Sequence, residues 1–566
     1  MVNKPQSKKH KFFSLYYEND GFNIKGEKLM GRQAAGWSFL KSIITSKRYN
    51  KLGVYLKNMS QKELLFDDIK SLLTDDNSSI DIRSFPYAEP NLTSEFGGIQ
   101  LPGPNIIEFA NHRSFFGHHH YSLCGLTHTT ASYEVMSSFS SLLTEPVMPW
   151  DAIICSSESV LNTANKIIEI QSDFLKSRIG SIKKVLPQLP VIPLGVNISE
   201  FDFTEEFKFN SRSKLGINKD DIVISYVGRL SFHAKAHHLP MYLALENISK
   251  TLKGKKKIHL IQSGWFASDY IENSFIDEAK IICPSVNCIF LDGRDSSNKD
   301  ITLASSDIFM SLSDNIQETF GLTPLEAMAS GIPVIVSDWD GYRSTVRNNE
   351  DGFRVPSYSL GEGFGEDLMF NYMMGIIDYD NYIGGTVHKV GIDVKQCIDK
   401  INLLIDNPDL RKKLGSNGKK RARENFSWTK ILDQYEDLYE ELDNIRINQY
   451  SKFIDSSYKT LPANRQDPFK IFSDYPTEIL KNSSKFKIAK GINRLSIKEI
   501  LEFSSIKYTD NVPQEEELEI VLSSFDNDKS YNIDKIINIT KLSSDMVFNI
   551  LIFLLKYGYI HIEGEK

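Results

Sequence analysis

Cysteine is scarce: the 566 residues hold five, Cys124, Cys155, Cys283, Cys288 and Cys397, an odd and scattered set without a close metal-ligand pair. A disulfide-framed secreted fold is therefore disfavoured, and a reduced, intracellular compartment is expected. Long apolar runs are missing as well. The longest near the end, "VFNILIFLL" (547–555), is too short to cross a bilayer. The opening "MVNKPQSKKHKFF" has basic residues but no apolar stretch after them, so neither signal peptide nor membrane span is expected, and membrane contact would be peripheral. Nor is there an excess of positive charge. With 66 Lys+Arg against 73 Asp+Glu the net charge is −7, which argues against binding nucleic acid through an overall field.

What the chain does hold is ordinary globular material, 41% apolar and 25% charged, at a length that suggests about three or four domains. From about residue 12 to 205, apolar strand-like runs alternate with helical stretches: "KLGVYL" (51–56), "NIIEFA" (105–110), "YSLCGLTH" (121–128), "AIICSS" (152–157) and "LPVIPLG" (189–195). The alternation restarts over 206–425 with "DDIVISYVG", "KIHLIQSG", "NCIFLDG", "DIFMSLS" and "IPVIVSD". Two such runs predict two doubly wound α/β domains with a cleft between them. The stretch 357–390, rich in glycine and aromatics, reads as an inserted loop region. Two helices and then an amphipathic third follow, the last over 426–449. Beyond 450 the pattern changes. Residues 451–566 carry 16 Lys+Arg against 17 Asp+Glu and end in helix, turn, helix and strand, similar to a winged-helix module. The second of those helices offers Asp545, Asn549 and Lys556, too little for a groove reader, so a helical domain packed on the rest of the chain or on a partner is the expectation.

Chemistry concentrates in two segments. In "ETFGLTPLEAMASGIPVIVSD" (318–338), Glu318 and Glu326 flank an apolar, glycine-broken loop with seven residues between them. Thr323, Pro324 and Glu326 are spaced as N-cap, first helical residue and capping-box acid, and Gly331 stops the helix. The unit is strand, loop, helix, strand, so free N–H groups of Phe320, Gly321, Leu322 and Thr323 can hold an anion at a helix start. By itself the pair is also consistent with a capping box and a solvated loop acid. In "SYVGRLSFHAKAHHL" (225–239) a buried strand ends at Gly228, followed by Arg229 and, six residues on, Lys235. A guanidinium and an ammonium at a strand's carboxyl end are suited to a diphosphate.

These segments together resemble the GT-B glycosyltransferases of family 4, retaining and metal-independent enzymes that use nucleotide-sugar donors. The spacing of Glu318 and Glu326, and of Arg229 and Lys235, matches that family. "VIPLGVNISEF" (191–201), "WDAIICSSES" (150–159) and "GLTHTTAS" (125–132) are similar to its further motifs. The likeness spans about residues 12–445. It implies a GT-B fold: Rossmann-like acceptor domain 12–205, Rossmann-like donor domain 206–425, a helix 426–449 crossing back, and the extra domain 450–566.

The resemblance implies roles for single residues. Glu318 meets hydroxyls of the transferred sugar and Glu326 the ribose. Arg229 and Lys235, with amides from Phe320 to Thr323, hold the diphosphate. Gly264 and Arg294 lie near the base. His128 stands by the reacting sugar, where a mid-range proton affinity suits acceptor positioning or proton handling; His112 and His118 to His120 are weaker competitors. The family's glycine pair is reduced here to Gly31, followed by Arg32. No metal and no cofactor beyond the donor is implied. The implied partners are a nucleotide-sugar, a hydroxyl acceptor and a protein reached through 450–566; the implied setting is the cytoplasm, with peripheral contact to the inner membrane face, in bacterial surface polysaccharide or glycoconjugate synthesis. Two other classes fit less well. A glycoside hydrolase would use Glu318 and Glu326 as acid and nucleophile and leave Arg229 and Lys235 without an anion; a non-catalytic scaffold would not need the charge constellation.

Overall fold

The computed structural model describes residues 12–24, 31–73, 80–180, 184–252, 256–449, 462, 465–493, 495–526 and 528–563. The chain divides into two compact units, Met1–Thr460 and Leu461–Lys566.

The first unit is built on two sheets. In the first, β1 (Ser14–Tyr17), β2 (Lys51–Leu56), β3 (Asp81–Pro86), β4 (Gly98–Gln100), β5 (Ser122–Leu126) and β6 (Ala152–Ile154) lie in the order β3-β2-β1-β4-β5-β6, all parallel. The second holds β7 (Ile222–Val227), β8 (Ile258–Gly264), β9 (Asn287–Asp292), β10 (Ile308–Ser311), β11 (Val334–Ser337) and β12 (Gly352–Val355) in the order β12-β11-β10-β7-β8-β9, again parallel. Counted from its own first strand, each sheet has the doubly wound order 3-2-1-4-5-6. The crossovers reverse between β1 and β4, and between β7 and β10. A crevice opens at such a reversal, outside the carboxyl ends of the strands. This is the GT-B architecture expected from the sequence.

Why these runs became central strands is visible in their burial. Every residue of β5, β7, β8, β10 and β11 is buried, as a parallel sheet covered on both faces requires. Two expected strands are absent. "NIIEFA" opens the helix Ile107–Phe116, with Phe109 and Ala110 buried on one side. "LPVIPLG" forms only an isolated bridge, Val191 with Cys155, because Pro190 and Pro193 have no N–H to donate to a ladder.

The helix Trp428–Gln449 returns to the first sheet. Tyr439 stacks on Phe13 with ring centroids 3.9 Å apart and donates its hydroxyl to Gln100 Oε1 at 2.8 Å. Trp428 packs against the backbone of Gly195, where a Cβ would fall 2.3 Å from the indole, and its Nε1 donates to Ser38 Oγ at 2.7 Å. Buried Ile431, Leu432, Leu438 and Leu442 add about 2 kcal/mol each of apolar burial. The segment after β12 is not a bare loop: β13 (Ser357–Ser359) pairs antiparallel with β14 (Val390–Ile392), and helices Glu366–Met373 and Tyr379–Val387 stand between them.

The second unit has its own core, with Phe486, Leu518, Ile533, Val547, Leu551 and Ile560 buried. Its helices include Glu515–Ser523, Ile533–Thr540 and Ser544–Lys556, and an antiparallel sheet joins β15 (Lys485–Ile488), β16 (Tyr531–Asn532) and β17 (Ile560–Ile562) in the order β16-β15-β17. Among the described residues no single helix is long and apolar enough to cross a membrane.

Candidate active site

Where β7 ends, three glycines press together. A Cβ on Gly264 would sit 2.0 Å from the carbonyl oxygen of Gly228, and one on Gly293 would sit 2.8 Å from Gly264 Cα. Backbone thus replaces side chains at the ends of β7, β8 and β9, and the space beyond them stays open. A cavity of about 340 Å³ lies there, between the two sheets. It is lined by Gly31 and His128 from the first domain and by Arg229, Lys235, Gly264, Glu318, Phe320, Gly321, Leu322, Thr323 and Glu326 from the second. Of the residues that the resemblance assigns to the donor and the reacting sugar, the cavity lining leaves out Arg294. Its guanidinium turns to Asp292, with Nε to Oδ1 at 2.9 Å and Nη2 to Oδ2 at 2.8 Å, on the exposed rim.

Glu318 is the buried anion of this cavity. Lys235 Nζ lies 2.5 Å from Glu318 Oε2, the amide of Phe320 donates to Oε1 at 3.5 Å, and the Tyr342 hydroxyl is 3.4 Å from Oε2. Burial pushes the Glu318 carboxyl up, but the Lys235 ammonium and the amides of Phe320 and Gly321 outweigh it and hold it below its ordinary value. It is therefore a carboxylate at neutral pH, an acceptor for hydroxyl groups. The expected helix start shifts by two residues. The helix is Leu322–Ala329, capped by Gly321 at φ 90°, and Thr323 sits inside the first turn without a capping bond. A side chain on Gly321 would run into the Tyr342 ring, 2.3 Å from its built Cβ, so only glycine brings the chain through this turn. With no capping box to close, Glu326 points into the cavity and pairs with Lys299, Nζ to Oε1 at 3.1 Å.

Arg229 is half-buried, and its Nη2 donates to the carbonyl of Ala234 at 3.1 Å. Burial lowers its pKa, with Tyr226 and Asp380 acting in the opposite direction. The bond folds the loop back, so that Arg229 and Lys235 flank one space. Lys299 was not legible in the sequence. It stands on the helix Ser296–Ser305 in a plain polar context, and only the fold brings it to Glu326 and over the Phe201 ring, 5.1 Å from the centroid. Burial alone lowers Lys299, but the charge of Glu326 more than restores it.

His128 departs from expectation in its protonation. Burial pushes its pKa down to about 4, against a hydrogen bond to the carbonyl of Pro102 and with help from the positive charge of Arg32. The ring is neutral at physiological pH. One nitrogen donates to Pro102, and the other carries a lone pair, so His128 can position a hydroxyl but is a weak base. Its backbone carbonyl accepts from Thr319 Oγ1 at 3.0 Å, tying the domains together at the cavity floor. Ser156 Oγ donates to Thr319 O at 3.4 Å and Ser157 Oγ to Asp340 Oδ1 at 3.5 Å beside it. Asp340 has φ 38°, a left-handed residue at the same junction. His118 to His120 lie ahead of β5, at the opposite end of the strand from His128, where Arg446 binds the carbonyls of His119 and His120. Arg32 beside Gly31 pairs with Asp20 at 2.5 Å.

Residues 207–364 match the family model for glycosyl transferases group 1. The chain is 24% identical over 247 residues to the putative glycosyltransferase EpsD of Bacillus subtilis, covering 44% of this chain and 52% of that protein. It is 27% identical over 174 residues to the uncharacterized glycosyltransferase MJ1607 of Methanocaldococcus jannaschii, 30% of this chain and 41% of that one. With the alpha-monoglucosyldiacylglycerol synthase of Streptococcus pneumoniae it shares 29% over 188 residues, 33% and 37% of the two chains. The chain thus spans about half the length of the first of these relatives or less. Among solved structures, Anabaena Alr3699/HepE in complex with UDP-glucose aligns over 75% of this chain and 99% of that one, at 14% identity and a TM-score of 0.47.

Proposed function

We propose that this chain is a retaining glycosyltransferase of family 4, moving a sugar from a nucleotide-diphosphate sugar to a hydroxyl acceptor without a metal. The observation that carries the reading is the corner at the end of β7. Arg229, Lys235 and the amide end of the helix Leu322–Ala329 converge on one cavity with a buried carboxylate beside them. A diphosphate entering there meets a guanidinium and an ammonium, which stabilise the charge that grows on it as the glycosidic bond breaks. Glu318 accepts from hydroxyls of the transferred sugar, and Glu326, fixed by Lys299, accepts from the ribose. His128, being neutral, orients the acceptor; the departing phosphate oxygen takes the acceptor's proton on the face the leaving group vacates.

A hydrolase would need one of the two acids to hold a proton for its leaving group. Glu318, held ionised by Lys235, does not suit the acid role, and a hydrolase would leave Arg229 and Lys235 without an anion to bind. The setting that best suits the reading is the cytoplasm, in bacterial surface polysaccharide or glycoconjugate synthesis.

The test is a thermal-shift screen against UDP, GDP, ADP and CDP, followed by transfer assays on Glu318→Ala and Lys235→Ala. One nucleotide is expected to raise the melting temperature, and each variant to lose transfer by about a hundredfold or more while staying folded. Full activity in either variant, or no response to any nucleotide, sinks the proposal.

A further inference from the structure

The body formed by residues 357–392 sorts its side chains in the reverse of the usual sense. Its inner side is packed. Tyr372 stacks on Tyr382 with centroids 4.7 Å apart, Leu368 fills the space beside Gly385, and Ile383 and Val387 are buried. That side is also anchored at the mouth of the cavity. The Tyr379 hydroxyl shares a hydrogen bond with Thr129, next to His128, while Asp380 lies 3.8 Å from His233 Nε2, on the loop that carries Arg229 and Lys235.

The outer side is apolar. On the helix Glu366–Met373 and its cap, Met369, Phe370, Met373 and Met374 recur at i, i+1, i+4 and i+5, one face of a helix. Phe364 and Ile376 extend the face at its two ends, and all six side chains are 50–68% exposed. A contiguous apolar patch of this kind on an otherwise ordinary surface marks a place of contact. Its rim is acidic: the exposed Glu362, Glu366 and Asp367 adjoin the face in sequence, against Lys389, whose ammonium already pairs with Asp367 at 2.9 Å.

The rim decides between occupants. Helices that lie on phospholipid carry lysine and arginine beside their apolar face, and these carboxylates would be repelled by anionic headgroups. A second copy docked about a two-fold axis would set this rim against itself. A segment with apolar side chains flanked by cations satisfies both features, and unbranched methionines adapt readily to such a guest. We propose that this face is the docking surface for a cationic amphipathic polypeptide segment. Seated there, the segment lies over the element that touches both walls of the cavity. The inference does not depend on the donor chemistry.

A fluorescent synthetic helix of Leu and Lys, titrated into the full chain and followed by anisotropy, tests it. Saturable binding is expected, weakened by salt and lowered about tenfold or more by the double variant Met369→Ser, Met373→Ser. Both positions are half exposed or more, so the variant's melting temperature should stay at the wild-type value. A Leu and Glu helix of the same pattern should not bind. Equal binding of the two peptides, or equal binding by variant and wild type, overturns the proposal. So does flotation of the wild type, and not the variant, with vesicles of mixed zwitterionic and anionic phospholipid, or a sedimentation mass that doubles in the wild type alone.

Discussion

Glu318 keeps its charge where charge is costly, and Asp340, close by, does not. Burial, followed by the field of Glu318, pushes the Asp340 carboxyl up from 3.8 to about 7. Between those values the folded chain holds a proton that the unfolded chain has released. The native state is therefore favoured at the acid end of the window, and that contribution is lost as the pH rises through about 7. Asn at this position tolerates the left-handed backbone equally well and does not titrate. The melting temperature of Asp340→Asn relative to wild type should accordingly climb between about pH 5 and about pH 8. Scanning fluorimetry across that range reads it directly. A constant difference would show that Asp340 is ionised throughout.

At the scale of elements, the site depends on strand ends meeting without side chains. Gly264→Ala would drive a methyl into the carbonyl of Gly228, 2.0 Å away, and part β7 from β8 where Arg229 begins. A loss of about 1–3 kcal/mol in stability and of about tenfold in nucleotide affinity is expected, measurable by denaturant unfolding and calorimetry. On the returning helix, Tyr439→Ala should cost about 3–5 kcal/mol, and Tyr439→Phe, which removes only the bond to Gln100, about 1 kcal/mol. Similar losses in both would deny the ring its packing role. The strands bounding the cavity were readable because a doubly covered sheet writes unbroken apolar runs, as "IVISYV" and "IHLIQSG" do. Others escaped for physical reasons. β3 is an edge strand with mostly half-exposed residues, and β4 has three residues. The helices of 357–392 hid behind flanking glycines and an apolar face turned outward, the reverse of what periodicity assumes. Within the site, Glu318, Glu326, Arg229 and Lys235 could be read from local spacing. Lys299, on another helix, and the depressed pKa of His128 are products of packing, and no spacing announces them.

For the molecule as a whole, two compact units with separate cores imply two cooperative transitions. A nucleotide that binds at the end of β7 stabilises the unit up to Thr460 and leaves the other as it was. Differential scanning calorimetry should resolve a ligand-shifted peak and a fixed one. A single peak moving as a whole would mean that the units melt together.

The contact between Lys235 and Glu318 has a consequence for turnover under the proposed reaction. An arriving donor draws the ammonium toward its phosphates and gives the carboxylate sugar hydroxyls in exchange, so both partners remain satisfied. Once the sugar has left, the remaining nucleoside diphosphate competes for the ammonium while offering the carboxylate nothing. The spent half is thereby held less firmly than the loaded one, and the pair resets itself by expelling it.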